Sequence, residues 1–204
     1  MAIKNVIFDF GQVLVYFQTK YMVDTHTENE EDRKLLSQVV FDRLYWDRLD
    51  SGTISDEETV KLCKERLPER LHSLCEKVYY DWIYNIPEIE GMGELLKYLK
   101  ATYNVKLYLL SNISKYFSSH KDEIPIIKEL DGCVFSGEIG ITKPSDEIFT
   151  HLLERFNLNA EECIFVDDRI ENIEGAIRNG LNGYVFDGSA EKLKHHLDKI
   201  LKTK

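Results

Sequence analysis

Four short stretches of this chain, residues 6–8, 106–110, 163–166 and 184–186, carry, apart from Lys106 and Cys163 that open two of them, β-branched, aliphatic or aromatic side chains at successive rather than alternate positions. A strand with one face in water alternates apolar and polar residues, so a continuous run marks a strand covered on both faces. Such strands belong to parallel sheets whose connections return through helices. Helical patterns do lie between and after the runs, at 91–101, 114–121, 145–156, 172–180 and 190–201, several of them ending near a Gly or Asn. The alternation predicts an α/β fold, a doubly wound parallel sheet with helices on both faces.

It is interrupted once. Residues 16–85 show helical periodicity and no convincing strand, which predicts an inserted α-helical cap between two parts of a sheet core, 1–15 and 86–204. Within the cap, Ser55 and Glu58 have capping-box spacing before an apolar-periodic run over 59–67, and Pro68 closes it. Ile86, Pro87 and Gly91 form a natural hinge at the return to the core.

A chain of 204 residues is long enough to bury one full core, with or without an insertion. Its formal charge of -10 argues against nucleic acid or an anionic membrane surface as a partner, and an anionic substrate would need a local positive site. No run is long and apolar enough to span a bilayer, and the N-terminus lacks the pattern of a secretory signal, so a cytoplasmic protein is expected. Cys63, Cys75, Cys133 and Cys163 form no C-x-x-C pair and read as reduced core residues.

In open α/β sheets ligands bind beyond the carboxyl ends of the strands, so the polar residues directly after each apolar run carry the chemical information. Here they are Asp9, Ser111 with Asn112, and Asp167 with Asp168. Any one of them alone is an ordinary turn or capping residue. Lys143 before Pro144 alone is an ordinary loop cation ahead of a helix. An unpaired carboxylate at the end of a buried strand is costly, and a divalent cation shared by Asp9 and Asp168 removes that cost. An all-oxygen ligand set of this kind suits Mg²⁺.

The segments VIFDFGQVLV at 6–15, LLSN at 109–112, KP at 143–144 and FVDDRIENIEGA at 165–176 together resemble, in order, the motifs of the haloacid dehalogenase superfamily. The resemblance implies a Rossmann-like core, a type 1 helical cap, and a hydrolase acting on a small phosphorylated metabolite. Carried over by position, it implies that Asp9 attacks phosphorus to form an aspartyl-phosphate that water hydrolyses. It implies Mg²⁺ held by Asp9, the Gly11 carbonyl and Asp168, with Asp167 beside the metal and Asn172 orienting its surroundings. Ser111 and the Asn112 backbone would hold the phosphoryl oxygens, and Lys143 would neutralise charge on nucleophile and phosphate.

The chain departs from that pattern at Gly11, where most phosphatases of the superfamily have a second Asp that protonates the leaving oxygen. Gln12 and Tyr16 are the nearby candidates to replace it. The D-x-G motif, its fourth motif and the cap segment SGTISDEE at 51–58 resemble the branch that includes bacterial α-glucose-1-phosphate phosphatases. That points to a hexose 1-phosphate, whose comparatively good leaving group needs less acid help. The alternatives are a phosphate- and metal-binding protein without turnover, and a metal-independent 2-haloacid dehalogenase. Tyr45, Trp46 and Trp82 of the cap have helical spacing and are expected in its core rather than as substrate ligands. A monomer or weak homodimer is expected.

Overall fold

The computed structural model describes residues 2–201, so residue 1 and residues 202–204 of the expected core lie outside the described residues. Five strands, β1 (Asn5–Phe8), β2 (Lys106–Ser111), β3 (Gly132–Phe135), β4 (Cys163–Asp167) and β5 (Asn182–Val185), form one sheet in the order β3-β2-β1-β4-β5. Every neighbouring pair is parallel, and β1 lies between β2 and β4. Strand order reverses direction at β1, which opens a crevice between the carboxyl ends of β1 and β4.

The strand residues sort onto two faces. Val6, Phe8, Leu107, Leu109, Ile164 and Val166 pack with Leu95, Leu96 and Leu99 of the helix Met92–Thr102 and with Leu193 and Leu197 of the helix Ala190–Ile200. Ile7, Tyr108, Leu110, Cys163 and Phe165 pack on the other face with Ile148, Phe149 and Leu152 of Asp146–Phe156 and with Ile173 and Ala176 of Ile170–Arg178. Continuous apolar runs are thus the signature of a sheet covered on both sides. The fold is the three-layer α/β sandwich that the alternation predicts.

Two strands differ from expectation. β3 was not predicted, because its four residues include Gly132 and a half-buried Cys133, and only Val134 and Phe135 are fully covered. It is fixed at the sheet edge by Asp131, whose carboxylate accepts from Leu107 N at 2.9 Å and from Lys106 Nζ at 3.0 Å. β5 begins two residues before the predicted run, since Asn182 pairs with Ile164 at the opposite edge. One flank of an edge strand faces solvent, so apolar continuity marks its ends poorly.

Residues 19–84 hold the α-helices Thr19–Val23, Glu30–Val40, Arg43–Asp50, Asp56–Glu65 and His72–Asp81, with 3-10 turns at Glu69–Leu71 and Trp82–Tyr84. Ser55 caps Asp56–Glu65 by accepting from Glu58 N at 3.1 Å. These helices have an apolar cluster of their own, including Val23, Leu36, Leu49, Val60, Val78 and Tyr79. Cys63 and Cys75 are free thiols inside it, and the helices bring these two sequence-distant side chains together.

A chain of aromatic rings joins the helical segment to the sheet. Trp46 meets Trp82 at 5.4 Å, Phe17 meets both at 5.6 and 5.4 Å, Trp82 stacks on Phe117 at 5.7 Å, and Phe117 meets Phe10 at 4.6 Å. These rings bury large apolar areas, and their edge-to-face contacts fix the orientation of the segment over the strand ends. Tyr45 belongs to the helical segment's own cluster and Trp82 is fully buried, as expected for core residues.

Candidate active site

Asp9 leaves β1 at the crevice, and its backbone N–H donates to Val166 O at 2.9 Å, which ties the turn to β4. Asp167 closes β4. Between them stands Lys143, its side chain 1% exposed, with Nζ 2.7 Å from Asp9 Oδ1 and 2.8 Å from Asp167 Oδ2. Burial works against the ammonium charge, but Asp9 and Asp167 outweigh it and hold the group above the ordinary lysine range. The loop carrying Lys143 is fastened to the end of β2. Lys143 N donates to Asn112 Oδ1 at 2.8 Å, and Asn112 Nδ2 donates to Lys143 O at 3.0 Å. The Asn112 side chain therefore positions Lys143, and both Ser111 and Asn112 line the cavity.

Asp167 is fully buried and its oxygens are filled. Oδ1 accepts from Arg169 N at 2.9 Å and Asn172 Nδ2 at 3.0 Å, and Oδ2 accepts from Lys143 and from Asn172 Nδ2 at 3.0 Å. A carboxylate has about four acceptor sites, so Asp167 anchors the lysine and has little capacity left for a metal. Asp9 and Asp168 are different. Burial pushes Asp9 up to about 6, with Lys143 opposing and the charge of Asp167 adding to the rise. Burial and Asp167 raise Asp168 as well.

Carboxylate oxygens of Asp9, Asp167 and Asp168 lie within 4.8 Å of one another. One ammonium against these carboxylates leaves negative charge uncompensated, since Arg169 is committed to Glu171. A hard divalent cation ligated by Asp9 and Asp168 fits both the oxygen donor set and the charge deficit.

Gly175 explains how the Lys143 loop comes this close. A Cβ at that position would lie 2.8 Å from Phe149 Cε2 and 2.9 Å from Pro144 O, so only glycine lets the helix Ile170–Arg178 pack on the loop. Gly175→Ala is expected to cost about 1–3 kcal/mol in urea unfolding, the scale of overpacking, and to lower turnover by displacing Lys143. A neutral effect on both would contradict this role.

A cavity of about 530 Å³ stands over these groups, lined by Asp9, Gly11, Ser111, Asn112, Lys143, Asp168 and Asn172. The strand ends, the Lys143 loop and the helix Ile170–Arg178 thus bring together the nucleophile, phosphate-binding and metal candidates of the sequence, with Asp167 beneath the cavity floor. Phe17, Thr19, Phe41, Arg43, Trp46, Asp47 and Asp50 complete the wall from the helical side, and the sequence did not single these out as site residues. Trp46 reaches the cavity although its indole N–H is committed to Val40 O at 2.8 Å. Gln12 lines the cavity, with its amide oxygen accepting from Phe17 N at 3.1 Å, whereas Tyr16 does not.

Asp50 stands out in that wall. Its Oδ1 is buried without a hydrogen-bond partner. Burial, aided by the charge of Asp47, pushes its carboxyl up to about 7, with Arg43 opposing. A signal for it exists in the sequence, because it lies four positions after Trp46 on the apolar face of Arg43–Asp50. A folded-state value above the unfolded one means that the native chain binds more protons, so stability falls as pH rises from about 4 to about 7. Asp50→Asn removes that term. Without metal, the mutant is expected to gain roughly 2 kcal/mol over wild type at pH 8 relative to pH 4, with the full shift reduced for partial exposure. A pH-independent difference would rule out the buried charge.

The haloacid dehalogenase-like hydrolase family model matches residues 3–180. Among curated proteins the chain is similar to a D-ribitol-5-phosphate phosphatase of Bacteroides thetaiotaomicron, at 26% identity over 84% of this chain and 85% of that protein. It is also similar to the sesquiterpene phosphatase astK of Aspergillus oryzae, at 27% identity over 88% of each. Among solved structures, a haloacid dehalogenase-like hydrolase of Porphyromonas gingivalis superposes with a TM-score of 0.71 at 20% identity, covering 97% of this chain and 98% of that one. A family enzyme of Bacteroides thetaiotaomicron, solved with magnesium and inorganic phosphate, gives 0.67 at 19% identity over 94% and 98%. At these identities the superpositions speak for the fold. With the family match spanning most of its length and the strand-end carboxylates converging on one lysine, the chain belongs to the haloacid dehalogenase-like hydrolases.

Proposed function

We propose that the protein is a magnesium-dependent phosphomonoesterase with Asp9 as nucleophile, acting on a small polyhydroxylated phosphate, with hexose 1-phosphates the first class to test. The observation that carries this reading is the Lys143 ammonium between Asp9 and Asp167, with Asp168 alongside, on the floor of a cavity. Three of the curated relatives are named as phosphatases or a nucleotidase and a fourth as a flavin mononucleotide hydrolase, for substrates as different as ribitol 5-phosphate, flavin mononucleotide, a sesquiterpene phosphate and 5'-nucleotides. The relatives therefore support phosphate ester hydrolysis and leave the alcohol open.

Lys143 holds Asp9 in place and keeps its attacking carboxylate ionised against burial. The same ammonium offsets charge on the incoming phosphate, for which the protein's net charge of -10 otherwise provides no attraction. The Ser111 hydroxyl, buried and without a hydrogen bond among the described residues, is available to a phosphoryl oxygen. Asp9, Asp168 and the Gly11 carbonyl would hold magnesium, which supplies further charge neutralisation at the phosphoryl group. The helical segment 16–85 would serve as the cap, and its Phe17, Phe41 and Trp46 would shield the reacting phosphate from water.

The test is inorganic phosphate release from hexose 1-phosphates, hexose 6-phosphates, a sugar-alcohol phosphate and an aryl phosphate, with Mg²⁺ and with chelator. Chelator-sensitive release establishes the phosphatase, and the preferred ester defines the substrate. Metal-independent halide release from 2-chloropropionate, with no phosphate release, would identify a dehalogenase instead. Magnesium binding without any turnover would identify a binder.

A further inference from the structure

Protonating an alkoxide leaving group requires a titratable hydrogen within reach of the reacting phosphate, and the main-chain turn after β1 provides none. Position 11 is glycine, with no side chain to titrate, and a Cβ there would meet Phe17 Cβ tightly at 3.3 Å. Gln12, the next residue, has an amide that does not titrate, and its oxygen is engaged by Phe17 N. No His, Glu, Tyr or Cys lines the cavity among the described residues.

The acidic residues that line it are Asp9, Asp47, Asp50 and Asp168. Asp9 is the nucleophile and Asp168 faces the metal position. Asp47 is largely exposed and pairs with Arg43 at 2.8 Å. That leaves Asp50, held at the end of the helix Arg43–Asp50 with a carboxyl oxygen buried and unsatisfied. An orphaned buried acceptor is rare and calls for a partner.

We propose that Asp50 is the general acid of this site, presented from the helical segment in place of an acid on the β1 turn. This rests on the phosphatase reading above. Asp9 forms its bond to phosphorus as the phosphorus–leaving-oxygen bond breaks, and the released electron pair takes the proton of the Asp50 carboxyl. The Asp50 carboxylate then accepts a proton from the water that attacks the aspartyl-phosphate, which frees inorganic phosphate, regenerates Asp9 and restores the acid. The charged groups that bear on Asp50 are Asp47 and Arg43 on its own helix and Asp9 and Lys143 from the strand ends. Their combined effect with burial places its titration near neutrality, where a proton can be both given and taken.

The experiment compares wild type, Asp50→Asn and Asp9→Asn with Mg²⁺ on two esters, p-nitrophenyl phosphate and a sugar-alcohol phosphate. Leaving-group release is read in a single turnover, so only the first half-reaction counts. A phenolate leaves without protonation and an alkoxide does not. Asp50→Asn is therefore expected to keep aryl ester cleavage within about threefold while losing about 10²- to 10⁴-fold on the alkyl ester. Equal losses on both esters, or none on either, would overturn the assignment. The phosphatase reading is judged separately, by whether wild type and not Asp9→Asn cleaves the aryl ester. If wild type cleaves neither ester, both proposals fall.

Discussion

Lys143→Met lowers the rate of phosphate release by about 10²- to 10³-fold and destabilises the chain by about 3–5 kcal/mol at neutral pH. Methionine keeps much of the volume, so packing changes little. What changes is electrostatic. Asp9 and Asp167 are left facing one another in a buried space without their shared cation, and breaking a buried pair from one side leaves its charge uncompensated. The stability loss is expected to shrink on acidification, because Asp9 already titrates near 6 and rises further when its cation is removed. Urea unfolding at pH 7.5 and pH 5 in chelator measures this. An equal loss at both would mean that Lys143 acts through packing alone. Arginine is not expected to rescue, since a planar fork cannot replace a compact ammonium between two carboxylates in so closed a space.

Asp9→Asn is expected to abolish turnover by at least about 10⁴-fold, the scale on which nucleophile removal acts. An amide cannot form the phosphoryl bond, and neither of the two carboxylates clustered with Asp9 is expected to substitute. Asp167 is saturated by its donors, and Asp168 would be engaged by the metal on the proposed reading. The fold should tolerate this change better than the loss of Lys143, because Lys143 retains Asp167 and one buried charge is removed. Inactivity with near-normal unfolding is thus the expected pair of results. Residual phosphate release within tenfold of wild type would move the nucleophile elsewhere.

The parts legible in the sequence are those where burial is symmetric. β1, β2 and β4 lie between helical layers, so their side chains are apolar without interruption and the polar residue that ends each run is conspicuous. Asp9, Ser111, Asn112, Asp167 and Asp168 were visible for that reason. Lys143 was visible only through its place in the ordered motifs, because a lysine in a loop gives no local sign that it will be 1% exposed. The edge strands β3 and β5 were harder, since each has one flank without a partner strand and a mixed composition. The cavity wall from the helical segment was least legible. Trp46 and Asp50 sit on an amphipathic helix where a core position and a cavity position have the same periodicity, Phe17 sits on a connection with no periodicity at all, and only the tertiary approach of segment and sheet brings them to the cavity.

The most direct measurement is of the covalent intermediate. The chain is mixed with a labelled aryl phosphate and Mg²⁺, quenched in acid within milliseconds, and digested. An acid-stable, hydroxylamine-labile phosphoryl group on the peptide carrying Asp9 is expected, absent with chelator and in Asp9→Asn. Phosphate release from wild type with no label on that peptide, or label retained in Asp9→Asn, would contradict it.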